Sequence, residues 1–375
     1  SSTPKKPTKQ KTNTQKMPIP ILDSHIHLFP ATHLPTLAWY TPDSPLGAQH
    51  SVDEYKHASS TPTSTENNAD KYLRGFIFLE TDRISSTEEN DSSGSGWNHA
   101  LDEVSFLTRI ASGHPVPGEG HSPADKDLCV GIVPWAPVPG GRDVLRRYMD
   151  MARERTGPDV WRKVCGVRYL VQDKPAGVML GDSFVDALRW LGEKGIAFDL
   201  GVDARQGGLG QLREAVEMMG RVYDGVGGDG VTIIINHLCK PNLRIGVDEF
   251  DTHEECLEWR DMMVKMASAS DRTYMKLSGA FSELPPLNRE SEPDVNDLVN
   301  HVKPWTDVVF DAFGPERVMF GSDWPVCNVG GGGNDVSWNR WRKVVEEILV
   351  RRGLTEEQKR GVWGEVAIKA YGVEL

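Results

Sequence analysis

No stretch of about 18 consecutive apolar residues occurs in the 375-residue chain, so a membrane-spanning helix is not expected. The first residues lack the apolar core of a secretory signal, and a cytoplasmic protein is the expectation. Positive charge is also short. There are 42 basic residues against 54 acidic ones, a net charge of −12, which argues against nucleic acid and anionic membrane as partners. Cysteine is sparse and unpaired: Cys129, Cys165, Cys239, Cys256 and Cys327 form no C-x-x-C pair and mostly adjoin apolar runs. They read as buried thiols rather than as a disulfide frame or a zinc knuckle. No G-x-G-x-x-G follows the first apolar run, so the usual mark of a dinucleotide-binding fold is missing.

What is present is an alternation. Residues 1–17 are almost free of apolar side chains and read as a disordered tail. Eight short apolar runs then follow, at 18–28, 74–80, 128–138, 164–171, 196–202, 231–237, 273–278 and 317–323. Continuous apolar runs of this length suit strands buried on both faces. Helical spacing of apolar residues separates them, at 102–111, 144–155, 183–193, 210–223, 256–269, 302–313 and 341–351. Eight βα repeats predict an α/β fold, a (β/α)8 TIM-like barrel spanning 18–375, with insertions at 29–73, 81–100 and 282–299 on its C-terminal face.

The active site of such a barrel lies at the C-terminal ends of its strands. The first strand ends Asp23-Ser24-His25-Ile26-His27. Alternation puts His25 and His27 on one face, with Asp23 one step deeper on the same face. The sixth strand ends at His237, the eighth at Asp323 and the second at Glu80. The fourth passes through Arg168, and the seventh runs Lys276-Leu277-Ser278. A lone histidine is more often a satisfied core residue than a ligand. Four such groups at the same strand ends are much harder to explain by packing.

The segment 21–27 resembles the opening motif of the amidohydrolase superfamily. Trp39, Gly166-Val167-Arg168, Asn236-His237 with Lys240-Pro241, Lys276-Leu277-Ser278-Gly279 and Gly321-Ser322-Asp323-Trp324-Pro325 resemble its sugar-lactone hydrolase branch. The resemblance implies hydrolysis of a small-molecule aldonolactone to the open acid, with L-rhamnono-1,4-lactone as the first candidate. Two-metal members of the superfamily carry a bridging lysine on strand 4. Here that strand offers Arg168, Tyr169 and Gln172, and Lys163 stands at its wrong end. One zinc-like divalent ion, or none, is therefore expected.

On this reading Asp323 is the general base for water. His25, His27 and His237 polarise the carbonyl directly or hold the ion, with Asp323 and Glu80 as further ligands. Arg168, Trp39, Trp324, Lys276 and Ser278 are expected to bind substrate. Trp97 and Trp338 are other mouth aromatics with a loop-core alternative, and the glycines 330–333 suggest a lid hinge. The alternative is a decarboxylase or hydratase on an unsaturated or aromatic acid. Such a substrate would call for more cationic strand ends than Arg168 and Lys276, whereas the tryptophan-rich mouth suits a sugar. The sequence leaves the oligomeric state open.

Overall fold

Each of the eight apolar runs contains a strand. The structure, a computed structural model, describes residues 18–60, 71–86, 93–228, 230–285 and 294–375. The expected tail at 1–17 lies outside the described residues, as do parts of the three insertions, at 61–70, 87–92 and 286–293. The strands are β1 (Ile19–Ile26), β2 (Lys71–Leu79), β3 (Cys129–Val133), β4 (Gly166–Arg168), β5 (Ala197–Leu200), β6 (Ile233–Ile235), β7 (Thr273–Leu277) and β8 (Val318–Phe320). All pair in parallel, in two ladders ordered β1-β2-β3 and β4-β5-β6-β7-β8.

The two seams between these ladders are closed by isolated parallel bridges. Ile132 meets Val164 and Trp135 meets Arg168 at one seam, while Ile26 meets Trp324 at the other. The strands thus follow one another round a ring, the TIM-like barrel the alternation predicts. The helices between strands shield the outward-facing residues. Gly113 and Gly195, both in left-handed conformations, end the helices Asn98–Ser112 and Asp182–Lys194. Several helices start earlier than their apolar spacing suggests, most of all Val295–Phe313, whose first turn is capped by the Asp294 side chain accepting a hydrogen bond from Asn296 N. The helix Val52–Ser60, inside the first insertion, has no counterpart among the expected helices.

Two large clusters, with a small third one at Phe29, Leu34 and Leu37, divide the core of the described residues. Leu22, Ile77, Val133, Ile234 and Met319 fill the barrel interior. The C-terminal helix Val366–Tyr371 plugs its lower end with Val366, Ala367, Ala370 and Tyr371. The larger cluster lies between barrel and helices and includes Tyr55, Phe76, Trp324 and Trp338. All five cysteines are free and buried. Among the described residues, no helix is long and apolar enough to cross a membrane.

Candidate active site

A bulge decides which way β1 points its side chains. Asp23 pairs with Phe76 and Ile26 with Phe78, so β1 advances three residues while β2 advances two. The extra residue breaks the simple alternation. His25 and His27 turn inward as expected, but Asp23 does not lie beneath them. Its carboxylate faces the helix layer, accepting hydrogen bonds from Tyr55 Oη (3.0 Å), Trp338 Nε1 (2.8 Å) and Ser322 N (2.8 Å). The same-face reading of Asp23 fails because a one-residue slip reverses every later side chain.

The β1/β8 seam then fixes the register of the central groups. Asp323 N donates to His25 O at 2.9 Å, and His27 N donates to Trp324 O at 2.7 Å. A Cβ at Gly321 would stand 3.0 Å from His25 Cβ, so the glycine gives the histidine its room. Asp323 adopts a left-handed backbone (φ 59°) that aims its carboxylate across the barrel. Its Oδ1 lies 3.6 Å from Nε2 of His25, of His27 and of His237.

His237 is placed by a rarer device. His237, Leu238, Cys239 and Lys240 all have positive φ, from 47° to 61°. A left-handed conformation costs a non-glycine residue roughly 1–2 kcal/mol, so four in succession persist only where surrounding bonds enforce them. Here Ala204 N donates to Cys239 O (2.9 Å), Arg205 N to Lys240 O (3.1 Å) and Trp259 Nε1 to Leu238 O (2.9 Å). Gly279 faces the His237 ring so closely that a Cβ there would come within 2.6 Å of its Cγ.

A proton-directed chain runs beneath this centre. Tyr371 Oη donates to Asp199 Oδ2 at 2.7 Å, and Lys276 Nζ donates to Asp199 Oδ1 at 2.6 Å. Lys276 Nζ also lies 3.2 Å from His25 Nδ1, and His25 Nε2 lies 3.1 Å from His27 Nε2. His27 Nδ1 is 3.0 Å from the carbonyl oxygens of both Leu79 and Glu80. Carbonyls only accept, so His27 carries its proton on Nδ1 and keeps the Nε2 lone pair. With Lys276 as the ammonium ion of its pair with Asp199, His25 accepts at Nδ1 and carries its proton on Nε2.

Electrostatics keep His25 and His237 neutral and Asp323 charged. Burial, followed by the Lys276 charge, holds His25 well below the usual imidazole value. Burial also lowers His237, to about 3, against the opposing pull of Asp323. Burial pushes the Asp323 carboxyl up, but the neighbouring His237, His27 and Lys240 more than offset this. The net shift is below the ordinary carboxylate value. Near neutral pH, neutral His25 and His237 therefore flank an ionised carboxylate.

His25, His27 and Asp323 offer donor atoms within 4.8 Å of one another. Imidazole nitrogens with one carboxylate are the donor chemistry of a single zinc-like ion. The set fits one divalent ion, with His27 and Asp323 the best prepared for it. His27 has the second-nitrogen arrangement typical of a ligand, a proton donated to a carbonyl. The other sequence-predicted ligand, Glu80, is engaged elsewhere: Oε1 accepts from Arg168 Nε and Oε2 from Asp82 N, each at 2.6 Å.

Above the centre opens a cavity of about 450 Å³, within the roughly 300–1,000 Å³ usual for small-molecule sites. His27, His237 and Asp323 form its floor, and Trp39, Arg168 and Lys240 contribute to its walls. Trp39 is held by a hydrogen bond from Nε1 to Thr81 O at 2.9 Å. Three other expected substrate contacts sit elsewhere. Trp324 faces the helix layer, because the residue after the inward-pointing Asp323 must point out; its Nε1 donates to Asn334 Oδ1 at 2.8 Å. Lys276 is fully buried below the histidines. Ser278 lies behind His237, its Oγ 2.8 Å from Nδ1, and orients that ring.

Trp97 and Trp338 are core residues. In the glycine run 330–333, Gly330 packs so closely that a Cβ there would lie 2.7 Å from Phe281 O. Residues the sequence reading did not assign also line the cavity, notably Asp82, Asp173 and Lys240. Asp82 stands in a left-handed conformation, and burial and then the Glu80 charge push its carboxyl up to about 6. The Lys240-Pro241 pair was the one visible signal for Lys240.

Comparison with known proteins agrees with this geometry. Residues 162–373 match the family described as Amidohydrolase. The chain is 33% identical over 356 residues to an L-rhamnono-gamma-lactonase of Scheffersomyces stipitis, covering 94% of this chain and 98% of that one. It is 29% identical over 218 residues to an L-fucono-1,5-lactonase of Burkholderia multivorans, covering 57% of this chain and 65% of the other. A crystal structure of a Burkholderia multivorans amidohydrolase with bound zinc superimposes with a TM-score of 0.65 at 22% identity, covering 94% of this chain and 99% of its own.

Proposed function

The chain belongs to the amidohydrolase family, and from that premise we propose that it opens sugar lactones, L-rhamnono-1,4-lactone being the first substrate to test. The observation that carries this reading is the ionised Asp323 carboxylate, equidistant from three histidine nitrogens at the floor of a cavity walled by Trp39, Arg168 and Lys240. A full-length relative named as an L-rhamnono-gamma-lactonase supports it.

Opening a lactone requires a nucleophilic water and a polarised carbonyl. Asp323 is the group that takes the water proton. His27 and His237, beside it on the floor, hold the water against the carbonyl carbon. His237, held neutral by burial, does not neutralise the carboxylate. Ser278 fixes the His237 ring, and the chain from Lys276 through His25 fixes that of His27. With His25 presenting a deprotonated Nε2, an ion held by His25, His27 and Asp323 would supply Lewis-acid polarisation of the carbonyl. The flat face of Trp39 suits the C–H side of a sugar ring. Arg168, already paired with Glu80, presents its edge to the ring hydroxyls.

The test is proton release in weak buffer with L-rhamnono-1,4-lactone and its fucono and galactono relatives. Catalysed release is expected, falling at least about 10³-fold in Asp323→Asn, a typical loss for a catalytic carboxylate. No release from any of them, with divalent ions supplied, would overturn the lactonase reading in favour of a lyase.

A further inference from the structure

We propose that Lys240 is the carboxylate receptor of the site, its ammonium group taking the anion that appears as the lactone ring opens. The inference rests on the lactonase reading above and assigns a role to a residue outside the histidine–aspartate centre.

Two cationic side chains line the cavity, and they differ in what they have left to give. Arg168 is committed, with Nε bonded to Glu80 Oε1 at 2.6 Å and Nη2 to Glu80 O at 2.9 Å. Its charge is matched by a fully buried carboxylate. Lys240 is held loosely. Its nearest carboxylate oxygen, Asp203 Oδ2, stands 4.0 Å away, beyond hydrogen-bond length. Among the described residues its Nζ has no hydrogen bond, so its donors remain available to a ligand.

The backbone supplies an independent argument. A left-handed turn of about three residues per turn brings positions 237 and 240 to the same side. The structure shows that split: His237 and Lys240 line the cavity, whereas Leu238 and Cys239 enter the core. Four strained residues in a row are retained where the reacting group and a cation are presented together.

The chemistry fits a cation at this point. The water oxygen bonds to the carbonyl carbon, and the bond to the ring oxygen breaks with its electron pair on that oxygen. One water proton reaches the ring oxygen through Asp323. The other leaves to solvent from the new carboxylic acid. The substrate is neutral and the product an anion, so a cation beside the reacting carbon favours the charged side of the reaction.

The experiment compares wild type with Lys240→Met and Lys240→Arg. Inhibition by the open aldonate and kcat and KM for the lactone are read by proton release. Binding of sodium aldonate is read separately by thermal shift. Lys240→Met is expected to weaken aldonate binding at least tenfold and lower kcat about 10²-fold, with the KM of the neutral lactone changed less than threefold. Lys240→Arg should restore most of the aldonate binding. A merely structural lysine would alter melting temperature and both kinetic constants without separating neutral from anionic ligands.

Aldonate binding by Lys240→Met within twofold of wild type would overturn the proposal even if wild type is an active lactonase. If wild type opens no lactone, the functional reading fails by itself. A Lys240-dependent thermal shift with aldonate would still uphold the receptor, and no shift in wild type would sink it.

Discussion

His33 is a buried-edge histidine with a measurable cost in acid. It sits in the short helix Ala31–Thr36, edge-on to Phe106, its Nδ1 without a hydrogen-bond partner among the described residues. Burial, then the nearby Arg83 charge, lowers it to about 4. The native protein therefore keeps this ring neutral, while the unfolded chain protonates it below pH about 6.5. Its contribution is fully present above that pH and is lost as pH falls toward 4. The loss is at most about 1.4 kcal/mol per pH unit, less because the ring is partly solvated. Urea unfolding at pH 7.5, 6 and 5 should show stability falling in acid, and His33→Phe should flatten that fall. His237 adds to the same trend, so the difference between wild type and variant isolates His33. Equal pH slopes for the two proteins would exclude His33 as a source.

At the scale of elements, the periodic features were legible and the irregular ones were not. Eight apolar runs gave eight strands, and the ends of β1, β6 and β8 brought His25, His27, His237 and Asp323 together. Alternation could not reveal the β1 bulge that turns Asp23 outward, since the extra residue leaves no mark in composition. Trp324 was misread for a related reason: its neighbourhood to Asp323 in sequence means opposition in space. The left-handed turn was hidden as well, because glycine is its usual sign and none occurs at 237–240. The glycine that makes room for it lies at the end of the neighbouring strand, at Gly279. Gly279→Ala should drive the His237 ring off Asp323 and cut kcat/KM about 10²-fold, as expected for a displacement near 1 Å. Its own backbone is left-handed (φ 67°), so a loss of roughly 1–3 kcal/mol in stability should accompany this. Unchanged kinetics in a folded variant would mean that the ring has room the structure does not provide.

The molecule as a whole is tied together through its axis. Tyr371 reaches up from the C-terminal helix to Asp199, which holds Lys276, which meets His25. Tyr371→Phe removes one donor from a fully buried carboxylate, a change worth about 1–3 kcal/mol. We expect a lower melting temperature, with KM for the lactone nearly unchanged because the change lies beneath the cavity floor. A calorimetric scan beside a kinetic assay checks both. A shifted KM with unchanged melting temperature would contradict the assigned role of this helix as a plug.

The seam between β1 and β8 has a consequence in time as well as in space. His25 and Asp323 are joined there by a backbone hydrogen bond spanning almost 300 positions of chain. As a ribosome extends the polypeptide, the histidine pair emerges early and must wait for its carboxylate until nearly all the other strands have been made. Truncated translation products consequently carry the histidine pair without the Asp323 carboxylate. The four groups meet only in a chain that has been read through β8.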